Sequence, residues 1–112
     1  MTGTSELKRG HLIVLQPQQI SYVPQGISQL GLVVSGREYN SKTGSAVVTL
    51  VTDQFTTYPF AVGLSEGFAG RMVLADHVRR CSFDRYQVQV IDTIPPRITH
   101  QVLGKLGAII TI

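Results

Sequence analysis

Six short apolar runs, each too short to be a long helix, set the first limit on this chain. They are "HLIVL" at 11–15, "LGLVVS" at 30–35, "AVVTLVT" at 46–52, "YPFAVG" at 58–63, "RMVLAD" at 71–76 and "QVQVID" at 87–92. Clusters of Gly, Pro, Asn and Ser lie between them. Short Val-, Ile- and Leu-rich runs punctuated by turn formers are the pattern of a β-rich domain with tight connections. None approaches the roughly 20 apolar residues needed to cross a bilayer, so a membrane protein is not expected.

Only the end of the chain changes period. "IPPR" at 94–97 places two prolines where the first turn of a helix tolerates a missing N–H donor. Ile98, Val102, Leu103, Leu106, Ile109 and Ile110 then recur at steps of three and four, while His100, Gln101 and Lys105 turn away. Gly104 and Gly107 each cost such a helix about 1 kcal/mol against Ala, so packing on the sheet must hold it, with close approach expected at the glycines. The segment 16–29, with Pro17, Pro24, Gly26 and four glutamines, reads as a long loop of the kind that carries function. The expected fold is mainly β with a C-terminal α-helix, a small barrel-like and mostly antiparallel sheet. At 112 residues, positions 1–112 form a single domain with one core.

Composition removes several classes. With 43% hydrophobic and 15% charged residues the chain is too apolar to stay disordered. Met1 to Arg9 contains no apolar stretch of signal-peptide type, which leaves the cytoplasm as the expected location. Cys81 is the only cysteine, so an internal disulfide and a cysteine zinc cluster are excluded. The net charge is +3 with a pI near 9.4, and five of the ten cations are the arginines 71, 79, 80, 85 and 97. Arginine's planar fork suits phosphate, which makes nucleic acid a candidate partner; a solvated basic face is the plainer reading.

The stretch "VTLVTDQFTTYPFAV" at 48–62 leaves its strand and offers Thr52, Asp53, Gln54, Thr56 and Thr57 in close succession, more polar groups than a tight hairpin needs. Taken in order, "RGHLIVL" at 9–15, "LVVSGREYNSKTG" at 32–44, "VTDQFTTYPFAV" at 51–62, "VLADHVRR" at 73–80 and "VLGKLGAIIT" at 102–111 resemble the MazF/PemK (Kid) family of toxins from toxin–antitoxin systems. The resemblance spans nearly the full chain. It implies a barrel-like β fold with a C-terminal helix and a homodimer. It further implies cleavage of single-stranded mRNA at short motifs with neither metal nor cofactor, and inhibition by an antitoxin whose flexible tail fills the RNA groove.

Site residues follow from the same resemblance. Thr52 falls on the family hydroxyl that stabilises the phosphate, and Asp76 on the turn carboxylate that acts as acid or base or reads a base edge. On the residues alone, Thr52 is an ordinary β-branched strand residue and Asp76 a turn former. Gln54 and Thr56 are candidates for reading RNA bases, Tyr58 and Phe60 for stacking on them, and Arg71, His77 and Arg79 for further RNA contacts. Two departures stand out. The family's main cation aligns with Gln29, which can donate a hydrogen bond but carries no charge, and the opening acidic residue is His11. Gln29 and His11 therefore complete the candidate catalytic set, with Arg37, Arg71 and Arg79 as sources of replacement charge. Losing one such donor typically costs on the order of a hundred- to a thousand-fold in rate, so a weakened nuclease is one expectation. The alternatives are a catalytically inactive homologue that still binds antitoxin or RNA, and a CcdB-like gyrase inhibitor. The absence of any Trp counts against the last.

Overall fold

The structure, a computed structural model, describes residues 7–17, 29–54, 56–64 and 70–111. Its elements run β1 (His11–Pro17), β2 (Gln29–Val33), α1 (Arg37–Thr43), β3 (Ser45–Thr52), β4 (Ala61–Gly63), β5 (Met72–Ser82), β6 (Tyr86–Thr93) and α2 (Pro96–Thr111). The strands make one sheet in the order β4-β5-β3-β2-β1-β6, with every neighbouring pair antiparallel. The expected mostly antiparallel sheet with a C-terminal helix is therefore present, but the sheet is not closed.

Connectivity forces that sheet to curl. β5 and β6 lie four places apart in the sheet order, which in a flat sheet means about 19 Å. Only residues 83–85 join them, tightened by the Arg85 N–H bond to Ser82 O at 3.1 Å, and the four Cα steps from Ser82 to Tyr86 reach at most about 14 Å. The strand alternation then separates two cores. Ile13, Leu15, Val33, Ala46, Val48 and Cys81 fill the inner face of the curl with Tyr86 and Val88. Leu12, Leu32, Val51, Val73 and Ala75 face the other way and receive Ile98 and Val102 of α2. Full burial of those two helix side chains contributes about 1.5–3 kcal/mol each, enough to offset the glycines of α2.

Four sequence expectations need correction. A second helix exists: α1 is seven residues long, ended by Gly44 in the left-handed region at φ 65, and its one buried residue is Asn40 rather than an apolar stripe. Hydrophobic period cannot reveal a helix held by an amide. β4 is confined to Ala61–Gly63, because residues 58–60 form a turn closed by the Ala61 N–H bond to Tyr58 O at 3.0 Å. β5 continues through Asp76 to Ser82, and what reads as a turn at Asp76 is an irregularity: Leu50 pairs with Leu74 but Thr49 pairs with Val78, leaving residues 75–77 as excess. Finally, a Cβ at Gly104 or Gly107 would meet nothing within 4 Å, and Ile110 is 71% exposed, so the last turns of α2 run past the sheet. Of the expected loop 16–29, residues 16 and 17 extend β1, Gln29 opens β2, and 18–28 lie outside the described residues. No helix among the described residues is long and apolar enough to cross a membrane.

Candidate active site

Three strands meet at one corner of the inner face. Thr52 ends β3 opposite Met72, and the register Leu30↔Val51 sets Gln29, the first residue of β2, beside it. Thr52 follows Val48 and Leu50 on the inner side of the curl. Its Oγ1 accepts the Gln54 N–H at 3.2 Å, a local turn bond that leaves the hydroxyl proton to donate elsewhere. Arg71, just ahead of β5, completes an open cleft of ≈ 290 Å³ with Gln29, Leu50, Thr52 and Asp53 on its walls. The structure thus brings together Thr52, Gln29 and Arg71, and adds the exposed carboxylate of Asp53.

Asp76 belongs to a neighbouring cluster. It lies four residues along β5 from Met72, up to about 13 Å at the usual strand rise. The Tyr58 hydroxyl donates to Asp76 Oδ2 in a very short bond, and this bond, with burial and the negative carboxylate, raises the Tyr58 pKa so that the phenol stays protonated. Asp76 Oδ1 is buried with no hydrogen-bond partner among the described residues. Tyr58, 42% exposed, packs edge-on against Phe60 with ring centroids 5.8 Å apart. The turn carrying them is tied down at three points. Thr56 N–H reaches Met72 Sδ at 3.4 Å, Tyr58 N–H reaches Thr56 Oγ1 at 3.0 Å, and Lys105 Nζ of α2 donates to Pro59 O at 2.7 Å. Gln54 and His77 are exposed.

A third group spans the open seam of the sheet. Arg79 of β5 donates from Nη2 to the Tyr86 hydroxyl of β6 at 2.9 Å, lies over that ring at 5.5 Å, and reaches Gln29 Oε1 from Nη1 at 3.5 Å. Its charge is felt inside the curl: burial pushes the Cys81 thiol up, and Arg79 pulls it partly back.

The expected catalytic role of His11 does not fit its place. His11 opens β1 while Leu15, four residues on, is the partner of Gln29, so about 13 Å of strand separates His11 from the cleft. Its Nδ1 accepts the Lys8 backbone N–H at 3.1 Å, and burial together with the Lys8 charge lowers its pKa and keeps the imidazole neutral. Arg37 opens α1 at that same far end, away from Thr52. Among the described residues no three His, Cys, Asp or Glu side chains group closely enough to share a metal ion.

The fold, over 95% of the chain, is shared with solved MazF structures from Deinococcus radiodurans. One, MazF alone, is 32% identical with a TM-score of 0.77, covering 95% of this chain and 97% of the other. A second, in a MazE-MazF complex, is 32% identical with a TM-score of 0.82 over 95% and 96%. The chain belongs to the MazF family. A mycobacterial endoribonuclease in complex with its cognate antitoxin, 20% identical with a TM-score of 0.69 over 95% of this chain and 96% of its own, shares the fold. No protein-family model and no curated protein matches the sequence.

Two residues that the sequence did not single out as site candidates lie at or near the cleft, Asp53 on its wall and Tyr86 against Arg79. Asp53 stood in the polar row at 52–57, and its adjacency to Thr52 was the available signal. Tyr86 opens β6 directly after the three-residue link from β5, which brings it to Arg79 seven residues earlier.

Proposed function

We propose that this protein is the toxin of a type II toxin–antitoxin system, a metal-independent endoribonuclease that cuts single-stranded mRNA as an isologous homodimer in the cytoplasm and is held in check by an antitoxin. The observation that carries this reading is the cleft at the β2–β3–β5 corner, where a hydroxyl, an amide, a carboxylate and a guanidinium converge on the MazF fold. The MazE-MazF complexes of the Deinococcus homologue support a protein inhibitor as partner.

In this reading a backbone phosphate enters the cleft. Arg71 and the Gln29 amide face its oxygens, and the Thr52 hydroxyl, whose lone pair is already used by Gln54 N–H, donates its proton to a non-bridging oxygen. The adjacent 2′-hydroxyl attacks phosphorus: the O2′–P bond forms, the P–O5′ bond breaks, the hydroxyl proton passes to the Asp53 carboxylate, and the leaving 5′-oxygen takes a proton from water. Asp53 suits the base role better than Asp76, because Asp76 is engaged by Tyr58 outside the cleft. Tyr58 and Phe60 offer ring surface to a splayed base, with Gln54 and Thr56 beside them for its edge.

The test is to incubate the purified protein, free of antitoxin, with a long RNA in the presence of a chelator and to map the ends. Cuts at a recurring short motif, leaving 2′,3′-cyclic phosphate and 5′-hydroxyl ends, are expected. An intact RNA of many thousand sequence contexts overturns the reading.

A further inference from the structure

We propose that Arg79 is a second phosphate-binding group of the inner face, supplying beside Gln29 the positive charge that Gln29 lacks, and that Tyr86 is the positioning residue that aims it. The proposal rests on the nuclease reading above for its substrate class, single-stranded RNA. Three observations converge on it.

The first is placement. Arg79 pairs with Val48, an inner-face residue, so its side chain shares the side of the sheet that carries Thr52 and Gln29. Its Nη1 stands 3.5 Å from Gln29 Oε1, and Gln29 lines the cleft, so an anion seated against the Gln29 amide lies within reach of the guanidinium. The second is preorganisation. A surface arginine ordinarily samples many rotamers, and ordering it on binding is a cost. Here the guanidinium is held over the Tyr86 ring and bonded to its hydroxyl, two contacts from the first residue of β6. The third is spare capacity. A guanidinium has five N–H donors. Among the described residues one goes to Gln29 and one to Tyr86, so three remain for a ligand. No carboxylate among the described residues contacts it: both acceptors are neutral, so the full charge is still offered to an anion. The contact also orients Gln29. With Oε1 turned to Arg79, the Nε2 amide is the group left to donate toward the phosphate.

The arrangement explains how a site with glutamine at the cleft wall retains two arginines, Arg71 on the wall just ahead of β5 and Arg79, from beyond the irregularity of β5, against Gln29. Tyr86 acts through Arg79.

Two measurements on the full chain test this. The first is the salt dependence of binding to a short single-stranded RNA with 2′-O-methyl riboses, which cannot be cut. The second is the cleavage rate of the unmodified RNA. Arg79→Gln is expected to lower the slope of log affinity against log salt by about 0.7, one phosphate contact on a single strand, and the cleavage rate by about a hundred-fold. Arg79→Lys should keep the slope, because the charge remains, yet lose about ten-fold in rate because the fork is gone. Tyr86→Phe keeps the ring and should leave the slope unchanged while the rate falls several-fold; unchanged melting separates this from a folding defect. Gln29→Ala should cost less in the Arg79→Gln background than in the native protein, as expected of coupled groups. An Arg79→Gln variant with native slope and native affinity overturns the proposal. If the native protein binds the methylated RNA with an Arg79-dependent slope but cuts nothing, the nuclease reading falls and the Arg79 assignment stands; if it binds no RNA, both fall.

Discussion

The two ends of β2 and β3 carry similar polar residues and use them in opposite ways. At the α1 end, Asn40 is fully buried and donates from Nδ2 to Leu7 O at 3.0 Å, Ser35 Oγ donates to Asn40 Oδ1 and accepts Val47 N–H at 2.9 Å, and Thr43 Oγ1 pairs with Ser45 Oγ at 2.9 Å. Each of these groups is consumed by the fold. At the other end Gln29, Thr52, Asp53 and Arg71 surround an open cleft, and Thr52 commits only its acceptor side. Polar residues that satisfy one another report on stability; polar residues left with donors facing a cleft are available to a ligand.

That contrast can be broken most decisively at the cleft. Arg71→Ala and Thr52→Ala should each lower the cleavage rate by on the order of a hundred- to a thousand-fold, the usual cost of a lost transition-state donor, while the melting temperature moves little. Steady-state cleavage beside thermal melting reads both, and a variant that melts early at full specific activity would reverse the assignment. At the far end the effects should be exchanged. Asn40→Ala strands the Leu7 carbonyl in the interior and removes the acceptor of the half-buried Ser35 hydroxyl, unmet groups worth up to about 1–3 kcal/mol each. A loss of roughly 10 °C in melting temperature follows for a domain of this size, with the activity of the folded fraction unchanged.

A smaller effect is expected at Gly44, which closes α1. Its φ of 65 lies where a side chain is unfavourable, but a Cβ there would meet no atom within 4 Å, so Gly44→Ala adds backbone strain alone. The cost should be about 1 kcal/mol, or several degrees of melting temperature, and cleavage should be untouched. A loss much larger than this would mean that the α1 end is packed more tightly than its geometry implies.

Most of the sheet is legible in the sequence because its strands are short apolar runs between turn formers, and α2 because its stripe has the helical period. What stayed hidden has a physical reason in each case. α1 is organised by Asn40 and a glycine cap, not by apolar spacing. The irregularity at 75–77 is decided by how β5 passes β3, which no local pattern encodes. In the site, Thr52, Gln29 and Arg71 converge as three of the expected residues, since strand ends and strand starts meet at one corner of an antiparallel sheet. Asp76 and Tyr58 pair with each other instead, and the Arg79–Tyr86 contact depends on the three-residue link between β5 and β6.

The finest test concerns His11, which the family resemblance places among catalytic groups and the register places at the far end. Its pKa is lowered by burial first and by Lys8 second, so the unfolded chain takes up a proton at a higher pH than the folded one. Above the ordinary histidine value of about 6.5 both states are neutral and the contribution is fully present; as pH falls through 6.5 toward the lower folded value, stability is lost. The ring is only half-buried, so this acid limb should be the smallest of these effects on melting temperature. His11→Asn leaves an acceptor for the Lys8 N–H but cannot titrate, and should flatten the limb. Its cleavage rate between pH 6 and 8 should match the native protein. A His11→Asn variant that melts normally but loses the pH dependence of cleavage would place a proton carrier at the wrong end of the sheet, and the division between a structural end and a chemical end would fail with it.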